Sequence, residues 1–379
     1  MLDHLNPIWV DTRAGVDEVA EAARSAGWLA LDTEADSLHS YFHKTCLVQV
    51  TADNRNFVID PLAINSSDLG PLWKVVEDRE IPVLMHGSDY DIRVLDRDYD
   101  TRILGLIDTQ AMAQVLGEPK TGLAALLEKE EGVILDKRHQ RADWGQRPLK
   151  RSQVAYAAAD TAFLGALAAK LRARLKKLGR WEWAQEEFHK LEQVRHNPVE
   201  PNPLAFEKVK GVRPLRGDAR DRAFSLYKWR ESEAQKLDVP PFKVLGAQTL
   251  VNLAEEPPER VSELAKVTGI GPRFVRRWGG RVMQTISQPE SAPQWKRGPR
   301  QPETTAVVAR RMKRLAVVRD EVAAELALEP GLVCPKSCAM AVASHEPRCA
   351  DADALRAAGL SGWRLECLGP KFIAALAQE

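Results

Sequence analysis

No uninterrupted apolar run in the 379 residues approaches the roughly 18 needed to span a bilayer. The N-terminus, Met1-Leu2-Asp3-His4, lacks the basic start and apolar stretch of a signal peptide. Cysteine is scarce: five residues, an odd number, which argues against a disulfide scaffold and for reduced thiols in a cytosolic protein. The Gly-x₄-Gly-Lys-Ser/Thr loop is missing, which argues against an attached helicase motor. An excess of charge of one sign is missing too. Lys+Arg number 54 against 53 Asp+Glu, a formal +1 that at first sight excludes a polyanionic partner.

What is present is a soluble globular composition, with 44% hydrophobic and 28% charged residues and 23 each of Gly and Pro. Wholesale disorder and fibrous repeats do not fit it. The length predicts two or three domains. The neutral total also conceals an asymmetry: residues 1–100 hold 8 basic and 19 acidic side chains, residues 101–300 hold 36 and 24, and the last 79 hold 10 of each. An acidic start and a basic middle could serve cations and phosphates respectively, although most such charges are ordinary solvated surface.

Short apolar runs alternate with helical patterns in the first half, the signature of an α/β domain. Strands are expected at Trp28–Asp32, Cys46–Thr51, Phe57–Asp60, Val83–His86 and near Ile103–Leu106, with one long helix over Ser152–Leu178 closing the domain near residue 180. Pro198, Pro201 and Pro203 mark a connector. From Gly217 onward strand signals vanish. Breaks at Pro240-Pro241, Pro257-Pro258 and Gly269-Ile270-Gly271-Pro272 divide residues 217–290 into four or five short helices, and a second connector, Pro293 to Pro302, precedes a further helical tail. The expected division is 1–195, α/β; 196–216, linker; 217–291, helical; 292–303, linker; 304–379, helical.

Leu29-Ala30-Leu31-Asp32-Thr33-Glu34 is an apolar strand ending in two carboxylates. Residues i and i+2 of a strand share a face, so Asp32 and Glu34 can converge on one cation while Thr33 faces the other way. Carboxylates that close repel unless a hard divalent ion compensates them. Alone the pair also fits a turn and a solvated edge. Two further segments strengthen the metal reading. His86-Gly87-Ser88-Asp89-Tyr90-Asp91-Ile92-Arg93 follows a strand and opens a helix, and Tyr156-Ala157-Ala158-Ala159-Asp160 sets Tyr156 and Asp160 on one helical face.

Together these segments resemble the three exonuclease motifs of the DEDD 3′-5′ exonuclease superfamily, Tyr subclass: Asp32 and Glu34, then Asp91, then Tyr156 with Asp160. Leu47-Val48-Gln49, Ile107-Asp108-Thr109, Asp143-Trp144 and Arg147-Pro148-Leu149 agree with its ribonuclease D branch. The resemblance implies a ribonuclease H-like α/β fold with a mixed sheet flanked by helices. It also implies two divalent ions, Mg²⁺ or Mn²⁺, about 4 Å apart. In the family's scheme Asp32 bridges both ions, Glu34 and Asp160 complete the tighter site, Asp91 reaches the second, and Tyr156 holds the attacking water. Asp89 competes with Asp91, which the following Ile and apolar helical stripe favour. His86 is expected to cap or pack at a strand end. His39, Tyr41 and Phe42, on the loop after the first motif, are candidate substrate contacts, since a nucleotide could stack on such rings.

Residues 217–290 resemble the helicase-and-ribonuclease-D C-terminal (HRDC) domain through Leu226, Trp229-Arg230-Glu231, Ala234, Val244-Leu245 and Leu264 to Gly271. Arg273, Arg276, Arg277 and Arg281 follow the Gly-Ile-Gly turn at helical spacings and are candidate phosphate contacts. The tail resembles a divergent second copy, with Arg319-Asp320-Glu321 and Trp363-Arg364 as anchors and a packing or clamping role implied by its flat charge. Cys334, Cys338, His345 and Cys349 lack the tight paired spacing of a structural zinc site and read as small packing residues. The expectation is therefore a metal-dependent 3′-5′ exoribonuclease acting on tRNA precursors and other small structured RNAs and releasing nucleoside 5′-monophosphates. The alternatives are the same hydrolysis directed mainly at DNA, with single-stranded DNA as a further partner, and a non-catalytic RNA-binding protein on an exonuclease scaffold. Five intact motif residues speak against the latter.

Overall fold

The computed structural model describes residues 5–136, 138–198, 202–294 and 306–377. The second expected connector and the middle of the first fall mostly outside them. Contacts group the chain into two units. One holds the residues up to Glu34, Thr45–His196 and the C-terminal helices. The other holds Ala35–Lys44 and the helices that follow Asn197.

The first unit is built on a mixed six-stranded sheet, as the sequence leads one to expect. Its strands are β1 (Ile8–Val10), β2 (Leu29–Ala35), β3 (Thr45–Ala52), β4 (Arg55–Ile59), β5 (Val83–Met85) and β6 (Leu106–Asp108), in the order β1-β4-β3-β2-β5-β6. β1 pairs parallel with β4, β3 antiparallel with β4, and β5 parallel with β2 and β6. β1 is the strand that the sequence reading lacks; it pairs Trp9 with Val58 on the sheet edge. Every residue of β3 is buried, the mark of a strand covered on both faces.

Helix α1 (Arg13–Ala26) starts where Thr12 Oγ1 accepts the Gly15 N–H and ends at Gly27 in the left-handed region. With α2 (Gly70–Val76) it covers one side of the sheet, where Val16, Val19, Leu72 and Val75 pack with Val48 and Val50. α3 (Asp89–Tyr99), α4 (Thr109–Val115) and α5 (Leu123–Glu131) follow. The long helix expected over Ser152–Leu178 is two: α6 (Arg151–Ala162) and α7 (Leu164–Lys177). At Phe163 the backbone N–H turns back to Thr161, whose hydroxyl lies 2.8 Å from that of Thr51 on β3. The break lets Gly165 pass over Trp28; a Cβ there would meet the indole at 2.8 Å. This pair is long and apolar enough to cross a membrane, yet half of its most apolar window is already buried in the protein.

The first domain also runs past residue 180, through α8 (Trp181–Glu192). In the second unit α9 (Gly217–Leu237) is 21 residues long rather than short. α10 (Pro241–Val244), α11 (Ala247–Glu255) and α12 (Pro272–Ser287) fold back on it around Leu226, Leu250, Leu264 and Val282. The C-terminal helices, α13 (Ala306–Leu326), α14 (Pro330–Val333), α15 (Lys336–Ser344), α16 (Ala352–Ala357) and α17 (Gly362–Ala377), enclose a core that includes Cys334 and Cys349.

Within the first unit α17 docks on α8. Trp363 stacks on Trp183 with centroids 4.7 Å apart and planes 10° from parallel. The Arg364 guanidinium grips Glu187 at 2.5 and 3.1 Å, and the Glu186 carboxylate accepts the Trp363 N–H at 3.0 Å. Those bonds hold the Glu187 carboxyl below its ordinary range, Arg364 outweighing the burial that would raise it. Trp363 is fully buried, so Trp363→Ala should cost about 3–5 kcal/mol. The urea midpoint, followed by tryptophan fluorescence, should fall with little change in slope. An unchanged midpoint would show that the docking contributes nothing.

Candidate active site

Strand β2 delivers Asp32 and Glu34 to one place, and α6 brings Asp160 to it. Carboxylate oxygens of the three lie within 4.8 Å of one another. Asp91 is not in this trio. It sits in the first turn of α3, 7% exposed, and accepts a hydrogen bond from the Thr33 hydroxyl. Thr33, the residue between Asp32 and Glu34, therefore positions a fourth acid beside the trio. Nothing in the sequence announces this link, because a one-dimensional period cannot show it. Asp89 is 55% exposed and pairs with Arg93 four residues on, whereas Asp91 is buried.

The turn that places Asp91 is tightly specified. Gly87 has φ +68, and a Cβ there would meet the Gln110 side chain at 2.9 Å. The Gly87 and Ser88 N–H groups and the Ser88 hydroxyl donate to Asp108 at 3.2, 2.8 and 2.7 Å. The same carboxylate caps α4 by accepting from Gln110 and Ala111. His86 Nδ1 lies 2.9 Å from the Thr109 hydroxyl, consistent with packing at the strand end.

Burial dominates the electrostatics. Burial and the three other carboxylates push the Asp32 carboxyl well above its ordinary 3.8. Burial, then Asp160 and Asp91, push Glu34 to about 9; burial, then Asp91, pushes Asp160 to about 7. Burial takes Asp91 to about 6 against the opposing Thr33 hydrogen bond. Four acids held this way favour protons or a cation, and a donor set of oxygens alone suits a hard divalent ion. Among the described residues this is the one cluster of three or more metal-ligating side chains.

Tyr156 lies one turn before Asp160 on α6, 8% exposed. The fully buried Ala157 and Ala158 let the helix lie close on the sheet. Its ring is flanked by Trp144 and His139, centroids 6.0 and 5.9 Å away, and its hydroxyl bonds the Gln140 side chain. His139 and Gln140 give no sign of this in the sequence, because a loop carries no periodic signal. Burial, then the charges of Asp160, Glu34 and Asp32, raise the phenol above its ordinary range, so it keeps its proton. The segment leading into α6 is anchored by Arg147, which holds both Asp60 oxygens at 2.6 Å and the Cys46 carbonyl at 2.8 Å.

The remaining candidates lie in the second unit. Tyr41 donates its hydroxyl to Glu231, Phe42 is 63% exposed and His39 is half-buried. Arg273, Arg276 and Arg277 are exposed on α12, whereas Arg281 is paired with Glu233 at 3.1 Å.

This fold and site define the class. The 3′-5′ exonuclease family matches residues 7–176, and the HRDC domain family matches 220–286. Ribonuclease D of Acidiphilium cryptum is 30% identical over 96% of this chain and 91% of its own length, and that of Pseudomonas paraeruginosa is 30% identical over 97% of each. The chain belongs to the ribonuclease D family and is a 3′-5′ exoribonuclease that binds RNA. Its fold is that of Escherichia coli RNase D, an exoribonuclease involved in structured RNA processing (TM-score 0.67, 24% identity, 98% of this chain and 99% of that one). The catalytic core of Trypanosoma brucei RRP6 is also similar (TM-score 0.68, 25% identity, 74% and 79%).

A pH dependence follows from the raised carboxyls. Without a cation, their contribution to stability is whole below the ordinary 3.8 to 4.5 and is lost as pH rises through about 6, 7 and 9. Mg²⁺ or Mn²⁺ should therefore raise Tm more near pH ~8 than near pH ~5, and binding should release protons, read calorimetrically in buffers of different ionisation heat. Equal Tm shifts with no proton release would mean that the cluster does not bind the ion.

Proposed function

We propose that the protein hydrolyses RNA from the 3′ end in a divalent-metal-dependent reaction, releasing nucleoside 5′-monophosphates, with tRNA precursors and other small structured RNAs as substrates. The convergence of Asp32, Glu34 and Asp160 beside a phenol that keeps its proton carries this reading. Asp32, Glu34 and Asp160 would hold one divalent ion, and Asp91, fixed by Thr33, a second. The ions would supply Lewis-acid charge and make water a nucleophile near neutral pH. Tyr156, held by its neighbours, orients that water through its hydroxyl and, being protonated, takes no proton from it. The water oxygen bonds to phosphorus and the bond to the upstream 3′ oxygen breaks. The shortened chain keeps a 3′-hydroxyl and the product a 5′-phosphate.

Two assignments extend this reading to the helices. Arg273, Arg276 and Arg277 are phosphate contacts of the HRDC domain. Residues 304–379 are a second HRDC-like repeat following a linker at 292–303, as the linker at 196–216 precedes the first. Supporting the repeat, α10 and α11 run 4 and 9 residues after the long α9, and α14 and α15 run 4 and 9 residues after the long α13.

Purified protein incubated with 5′-labelled RNA or matched DNA should give a ladder shortening from the 3′ end with Mg²⁺ or Mn²⁺ and none with chelator. Metal-independent or absent cleavage of both polymers would sink the proposal. Asp32→Asn and Asp91→Asn should lose turnover by orders of magnitude with RNA binding nearly intact, and Tyr156→Phe should lose roughly 100-fold; activity surviving in Asp91→Asn but not Asp89→Asn would overturn the second-motif assignment. Replacing Arg273, Arg276 and Arg277 with Ala should flatten the plot of log affinity against log salt by about 0.7 for each phosphate no longer neutralised. An unchanged slope would remove these residues from the RNA surface.

A further inference from the structure

The loop that follows Glu34 is part of the second unit: Ala35–Lys44 groups with the helices after Asn197. It is knotted around the buried Asp36, which accepts from the Lys44 N–H at 2.8 Å, the Lys44 ammonium at 2.8 Å and the Ser40 hydroxyl at 2.7 Å. Its tip is pinned by α9 and the turn after it. Asp238 accepts the backbone N–H groups of Tyr41 and Phe42 at 3.0 and 2.9 Å. The Tyr41 hydroxyl donates to Glu231 at 3.2 Å and accepts from Gln235 at 3.0 Å, and Lys243 Nζ lies 3.4 Å from His39 Nδ1.

These pins are polar, and they hold the tip without burying its apolar side chains. Phe42 is 63% exposed and Leu38 45%. On the facing turn Phe242, at the start of α10, is 56% exposed. Phe42 and Phe242 are the two phenylalanines left open among the described residues. Both fall in this one cluster, beside Lys243 and His39. Exposed aromatic faces next to a cation are what unpaired nucleotides bind: bases stack on the rings, the cation meets a phosphate, and sequence matters little. Charge agrees with that occupant, since residues 197–298 carry 18 Lys+Arg against 12 Asp+Glu. Phe42 is eight residues beyond Glu34, so chain reach limits its distance from the carboxylate site to about 27 Å.

We propose that Phe242 and Lys243 of the helical domain form, with His39 and Phe42 of the loop, a binding subsite for unpaired RNA upstream of the scissile bond. The subsite rests on the exoribonuclease reading but is tested apart from it. Binding of a fluorescein-labelled single-stranded oligoadenylate is measured by anisotropy in chelator, where no cleavage occurs, and KM and kcat are then measured with metal on RNA carrying an unpaired 3′ tail. Phe242→Ala should weaken binding roughly tenfold, a loss that falls on KM. Phe242→Trp, which keeps a stacking face, should restore it, and Lys243→Gln should weaken binding and lower its salt dependence.

Wild-type affinity in Phe242→Ala, or equal losses in the Ala and Trp variants, would overturn the subsite while leaving the exoribonuclease reading intact. Loss of a dimer on size-exclusion light scattering with RNA affinity unchanged would instead make the patch a self-contact and also overturn it. Failure of the wild-type protein to cleave any RNA with metal would fall on the catalytic reading, whatever the anisotropy showed.

Discussion

Carboxylates drawn partly out of water and close together repel each other, and much of what is distinctive about the first unit holds Asp32, Glu34 and Asp160 together with Asp91 beside them. The strand period places Asp32 and Glu34 together, and the helical period places Asp160 one turn from Tyr156. Arg93 is taken by Asp89 and Arg147 by Asp60. The cost appears as carboxyl groups that keep protons far above their ordinary range. Such a site favours either protons or a cation in their place. Tyr156 depends on the same constraint. Burial, and after it the neighbouring negative charges, keep the phenol neutral, and it is left able to donate a hydrogen bond.

If the two helical segments are repeats, they show how one architecture is put to different uses by surface chemistry alone. The second, fifth and sixth positions of α12 are Arg273, Arg276 and Arg277, all exposed. The same positions of α17 are Trp363, Glu366 and Cys367. Trp363 is fully buried on Trp183, and the neighbouring Arg364 is spent on Glu187. A face suited to phosphates in one segment is a packing face in the other, which accords with the flat charge of the C-terminal residues. Gly362 allows the docking: it has φ +58, and a Cβ there would collide with the Glu186 carboxylate that accepts the Trp363 N–H.

What could be read from the sequence follows from what period and punctuation encode. Most of the sheet, its flanking helices, the shared face of Asp32 and Glu34 and that of Tyr156 and Asp160 were accessible because strands and helices repeat every two and 3.6 residues, while the joining of Asp160 to Asp32 and Glu34 was implied by the family resemblance. β1 and α8 were not: β1 exists by pairing with β4, and α8 buries so few of its own, Ala184 and Phe188 among them, that its apolar stripe is thin. The break at Phe163 was hidden because the contacts beside it, Thr51 on Thr161 and the Trp28 ring under Gly165, come from more than a hundred residues away. The Thr33 link to Asp91 and the Gln140 and His139 contacts to Tyr156 are tertiary in the same sense.

The loop from Ala35 to Lys44 shows most clearly why linear order misleads. By sequence it belongs to the first domain, since it joins β2 to β3 and begins one residue after Glu34. By contact it belongs with α9, which bonds its tip through Glu231, Gln235 and Asp238. A cut at the proline-rich connector would therefore not release an intact catalytic module. It would leave the Tyr41 hydroxyl and two backbone N–H groups without their partners and free a loop that follows directly from the strand of Asp32 and Glu34. Linear order assigns these ten residues to the strands on either side of them, whereas their hydrogen bonds assign them to α9 and the turn after it, more than 180 residues further along the chain.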